Sequence, residues 1–171
     1  MGILSGNPKE EPMHYGEVYS AWGFVLAGNK MIAEYGVLLN HVGDDDLKKL
    51  LHTCMEQSKE EVKQVSELLK ENGVALPPAA PEPPKANLDD IPPGARFMDA
   101  DIAASASATT AAGLVACSKI MGQSIREDIA AMFGQFHASK ATLAGKFLQL
   151  LKEKGWLVPP PLHQPPADED V

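Results

Sequence analysis

The sequence predicts an all-α protein, a four-helix bundle whose middle connection is a long, proline-rich crossover. Three observations carry that prediction. Of 171 residues 14 are proline, yet residues 13–72 and 98–155 contain none. In both stretches apolar residues recur at steps of three and four, the period of a helix that buries one face. Each stretch also holds an internal helix-start signal, Gly43 followed by Asp44-Asp45-Asp46 in one and Ser124-Ile125-Arg126-Glu127 in the other. Each therefore reads as a pair of helices.

The first helix, about 13–42, has Tyr15, Val18, Trp22, Val25, Asn29, Ile32, Gly36 and Leu39 as its seam, widened by Tyr19, Leu26 and Ala33. Pro12 falls in its first turn, where a missing N–H costs nothing. The second, about 45–72, opens on acids at its electropositive end. It runs Leu47, Leu51, Cys54, Ser58, Glu61/Val62, Val65 and Leu68/Leu69, with a charged face opposite and an Asn72-Gly73 cap. The third, about 98–121, is built from small residues, among them Ala103, Ala106, Ala111, Ala112 and Gly113, so that neighbours can approach closely. The fourth, about 125–154, starts at a capping box formed by Ser124 and Glu127. Its seam is Ile125, Ile129, Met132, Phe136, Ser139, Leu143, Phe147 and Leu150, and Gly155 stops it. An arm (1–12) and an acidic, proline-rich tail (157–171) flank one domain, 13–156.

Seven prolines crowd the crossover, 73–97. A helix as long as 45–72 measures about 42 Å, and about 14 residues of polyproline-like chain would span it. The segment can therefore run back along the whole bundle, with Ile91 and Phe97 as apolar anchors. That makes the second and third helices parallel and the order up-down-down-up, the single-crossover connectivity of ferritin-like bundles. A loose linker between two hairpins is the competing reading. Pro78-Ala79-Ala80-Pro81 and Pro81-Glu82-Pro83-Pro84 also match a PxxP pattern, for which a spacer is the plainer explanation.

A formal net charge of −8 argues against a nucleic-acid partner, which would call for a basic face. No apolar run reaches the length of a membrane span, and Met1–Gly6 lacks the pattern of a secretory signal. A soluble protein inside the cell is expected.

Chemistry is harder to find. Di-metal sites of ferritin-like bundles need inward carboxylates and Glu-x-x-His pairs, whose members share one helix face. The only such pair here is Glu11-Pro12-Met13-His14, at the mouth of the first helix. His14 and Glu17, with Glu11 beside them, are the candidate metal ligands; a solvated helix start explains them equally well. Glu17, Glu34, His41, His52, Glu56, Glu127 and His137 all fall off the buried stripe, and Glu61 alone sits on it. Asn29, Ser58 and Thr109 or Thr110 supply neutral polar groups to the core. Cys54 and Cys117 lie at heights about 15 Å apart, beyond disulfide reach. No catalytic triad, phosphate loop or nucleotide fingerprint is present, and no cofactor is expected.

Several segments resemble one family. Glu17-Val18-Tyr19-Ser20-Ala21-Trp22, the acidic turn before Leu47, Met121 to Ile129, Phe133, Phe136 and Lys154-Gly155-Trp156 resemble ferritin-like bundle proteins of spore-forming firmicutes, some of which carry a spore-coat label. The resemblance covers roughly 12–160. It implies a spore association with coat-assembly partners, where the sequence itself gives a cytoplasmic, non-enzymatic structural or assembly protein, its metal core degenerate and the alanine face of the third helix available for a homodimer. It supplies no catalytic residue. The alternatives are a metal-binding protein or oxidase using the off-centre site, and a small-molecule carrier using a gap beside the third helix.

Overall fold

The computed structural model describes residues 11–163, so most of the arm and the end of the tail lie outside the described residues. Four helices make up the bundle: α1 (Tyr15–Leu38), α2 (Asp45–Glu71), α3 (Asp99–Gln123) and α4 (Glu127–Glu153). Among the described residues there is no strand. The crossover is extended, apart from two short 3₁₀ turns at Leu88–Asp90 and Pro93–Ala95.

Contacts at the two ends fix the direction of each helix. At one end the Asp99 carboxylate, opening α3, accepts from the Gly43 and Asp44 backbone N–H groups at 2.9 and 3.0 Å. Lys154, just past α4, reaches Asp44 and Asp46 there at 2.7 and 2.9 Å. At the other end Arg126, just before α4, donates to Asn72 at the close of α2. The order is therefore up-down-down-up, the arrangement that needs a long second connection. α1 and α4 each touch both α2 and α3. Those four contacts are antiparallel, with opposite macrodipole ends side by side, while α2 and α3, which meet across the bundle, run parallel.

Local sequence explains the helix ends. Asp44 caps α2 by accepting from Asp46 and Leu47 N–H. Gly73 and Gly155 take φ of 71° and 70° after α2 and α4, the left-handed turn that ends a helix most cheaply at glycine. Two expected starts are corrected. α1 begins at Tyr15 with His14 as its cap, which leaves Pro12 outside the first turn. α4 begins at Glu127 without a capping box, because the Ser124 hydroxyl turns back to the Ile120 carbonyl at 2.7 Å.

The α2 stripe is buried as its periodicity predicts, from Leu47 to Leu69. α1 differs. Its core face is Glu17, Ala21, Val25, Gly28 and Tyr35, whereas Tyr15 and Tyr19 are 95% and 79% exposed and Leu26 is also exposed. The cause is the crossover, which covers a second face of the same helix. Trp22 Nε1 donates to the Ala75 carbonyl. Pro83 sits so close to Gly36 that a Cβ there would lie 2.6 Å from its ring. Asn40 clasps both the Pro84 carbonyl and the Ala86 N–H. The apolar signal of α1 is thus the sum of two faces. Of the expected anchors, Ile91 is half-buried, while Phe97 stays exposed and packs on the His41 ring.

The core falls into two clusters. One, around Leu51, Phe147 and Ile102, lies toward the Lys154 end. The other, around Phe133, Ile129 and Leu69, lies toward the Arg126 end. Cys54 belongs to the first and Cys117 to the second, both as free, buried thiols. By length and composition alone the 93–123 segment is apolar enough to cross a membrane; in this fold it packs chiefly on α4.

Candidate functional site

Between the two apolar clusters lies a charged layer. Lys140 of α4 donates to Glu61 of α2 at 2.6 Å, and both side chains are almost fully buried. Gln57, one turn before Glu61, donates to its other oxygen at 2.8 Å. The Lys140 ammonium also lies 5.8 Å from the centre of the Phe24 ring, within cation–π range. Its aliphatic stem runs against Gly113, where a Cβ would lie 3.0 Å from Cδ. The small residues of α3 thus make room for Lys140, and the expected apolar gap is filled. What remains beside Tyr35, Ser58 and Thr110 is a cavity of about 10 Å³, no larger than one water requires.

This layer corrects the seam of α4. Ser139 is exposed and Lys140 is buried in its place. Both choices keep a three-four spacing between Phe136 and Leu143, so periodicity could not separate them. A second signal was present. Glu61 stands 11 positions before Asn72 and Lys140 stands 13 after Glu127, so antiparallel α2 and α4 bring them to one height. A buried carboxylate needs such a partner. Of the neutral polar residues expected in the core, Ser58 and Thr110 are buried, while Asn29 is half-buried on the crossover side.

The candidate ligands at the mouth of α1 do a different job. Glu17, expected off the buried stripe, is 1% exposed. One of its oxygens accepts from the Ile125 and Arg126 N–H groups at 2.9 Å each, and the other from the His14 N–H at 3.0 Å. A single carboxylate therefore caps both α1 and α4, whose starts lie at the same end. His14 Nδ1 accepts from the Gly16 N–H at 2.9 Å, and Nε2 lies 3.1 Å from the Gln123 carbonyl, to which it donates. Glu11 is buried as well. Beside them the buried Arg126 guanidinium donates to the Glu11 carbonyl, Asn72 and Asp128. The Arg126 contact lowers the Asp128 pKa below the ordinary carboxylate range, and Asp128 in turn raises that of Arg126. The structure brings the three candidates together around two helix starts, with the His14 ring and the Glu17 carboxylate turned to backbone groups. Among the described residues no cluster of three or more His, Cys, Asp or Glu is arranged to hold a metal ion.

The thiols are also ill-suited to chemistry. Burial raises both Cys54 and Cys117 to a pKa of about 11, far from the thiolate form that reacts.

Comparison with known proteins agrees with the fold. The chain is 72% identical over 163 residues to the uncharacterized protein YvdQ of Bacillus subtilis strain 168, covering 95% of this chain and 96% of that one. A crystal structure from Bacillus halodurans C-125, named there a "putative spore coat protein", superposes with a TM-score of 0.91 at 54% identity over 92% of this chain and 99% of that one. A conserved hypothetical protein, rv2844, from Mycobacterium tuberculosis shares the fold at a TM-score of 0.66 and 16% identity, over 81% of this chain and 99% of that one. A family described as "Protein of unknown function (DUF3231)" matches residues 1–168, and the chain belongs to that family.

Proposed function

We propose that this protein is a non-enzymatic structural or assembly component associated with the spore. The observation that carries this reading is the Glu61–Lys140 layer. It fills the middle of the bundle, the place where bundles of this connectivity build metal chemistry, with an ion pair. The spore-coat name of the 54% identical Bacillus halodurans protein supports the location. The partners would be coat components or further copies of the chain. The alternative, a metal-binding protein or oxidase with an off-centre site, needs donors from His14, Glu17 and Glu11; the first two are tied to helix ends.

The test is localisation. A fluorescent fusion expressed in sporulating Bacillus subtilis should collect at the spore surface and co-fractionate with coat extracts. A signal spread evenly through the cell, with none retained in washed spores, would refute it.

A further inference from the structure

A cleft of about 820 Å³ opens between the crossover and the outer faces of α1 and α2, within the size range of small-molecule sites. It is preformed, because the crossover is pinned along its length by Trp22, Gly36 and Asn40. The floor and roof are largely apolar, from Ile32, Leu39, Met55, Pro81 and Pro83. The polar groups are mostly donors. Lys48 and His52 of α2 and Lys85 of the crossover line the cleft with side chains that make no hydrogen bond or ion pair. Lys59 lies further along, bonded to Glu56. Asn29, in the middle of α1, is half-buried and its amide is likewise without a partner. Two carboxylates also line the cleft, Glu82 and Asp90, and Asp90 already accepts from Asn87.

We infer that this cleft binds a small amphipathic carboxylate. An apolar body would lie on Ile32, Leu39, Met55 and the prolines, and the carboxylate would meet Lys48, His52 and Lys85. Those three belong to the end of the cleft nearest the α1–α2 turn, where a charged head can stay partly in water. At that end Lys48, Lys85 and His52 are set against one carboxylate, Asp90, and this local basic excess over an apolar floor favours an anion over a cation.

Dodecanoate below its micellar concentration is the probe, followed by ¹H–¹⁵N spectra of the full chain. Saturable shifts should appear in the 79–90 backbone amides and the Asn29 side-chain amide. A Lys48→Glu/Lys85→Glu variant should bind at least about tenfold more weakly, and Ala33→Trp, which fills the cleft, should lose the site. Dodecyltrimethylammonium should leave these resonances unmoved. Shifts centred on the exposed Tyr15, Tyr19 and Val115, equal response to the cation, or no saturation would overturn the inference. Unchanged affinity in a folded charge-reversal variant would do the same.

Discussion

Replacing Lys140 by Met keeps the length of the side chain and removes its charge. The Glu61 carboxylate, 4% exposed, would then keep only its hydrogen bond from Gln57. At 2.6 Å the lost attraction is about 6 kcal/mol for an effective dielectric constant near 20. Part of it is offset because Lys140 no longer needs to be dehydrated, and breaking a buried pair from one side costs about 3–5 kcal/mol in net stability. Glu61→Leu should cost a similar amount, since the ammonium would retain only the Phe24 ring. The double variant Glu61→Leu/Lys140→Met leaves no orphan charge. It should fall within about 1 kcal/mol of the parent, or above it, rather than at the roughly 6–10 kcal/mol loss that additivity gives. Urea unfolding at constant m-value reads all four proteins. Single variants each costing under about 1 kcal/mol, or a double variant equal to the sum of the singles, would show that the pair is not the linchpin of the layer.

Three further outcomes follow from the same geometry. Glu17→Ala leaves three backbone N–H groups without acceptors and should cost about 2–4 kcal/mol, with faster hydrogen exchange at Ile125 and Arg126; a loss below about 0.5 kcal/mol contradicts the double cap. Asp128 has a lowered pKa in the fold, so its contribution to stability is present above its unfolded value near 4 and is lost as pH falls through the folded value. Asp128→Asn should therefore flatten the acid side of the stability–pH curve while lowering stability at pH 7, and parallel curves would exclude that linkage. Cys54 and Cys117 should resist Ellman's reagent in the native protein at pH 8 and both react at once in 6 M guanidinium; rapid native labelling would contradict their burial.

The fold was legible because its signals are local and repeated. The α2 stripe and the proline-free stretches survive any detail of packing, and the crossover length leaves one economical topology. The errors lie where one helix serves two masters. α1 packs on the core with Ala21 and Val25 and under the crossover with Trp22 and Gly36, so a single stripe drawn through its apolar residues runs between the two faces. The charged residues were misplaced for a different reason. Glu17 and Lys140 are buried because of groups more than 75 positions away, the α4 N-terminus and Glu61, and no periodicity reports such a partner. His14 as an N-cap was hidden too, since histidine is not among the side chains favoured there.

The up-down-down-up order also decides where the chain enters and leaves the bundle. In an up-down-up-down bundle both points share one end. Here α1 starts beside Arg126 and α4 finishes beside the α1–α2 turn. Entry and exit are therefore separated by the full length of a 27-residue helix, about 40 Å. Segments tethered at the two points can reach different neighbours without competing for space, and copies joined in series would extend as a rod instead of folding back. The two points lie at opposite poles of the bundle, so whatever is joined to one is held a helix length from whatever is joined to the other.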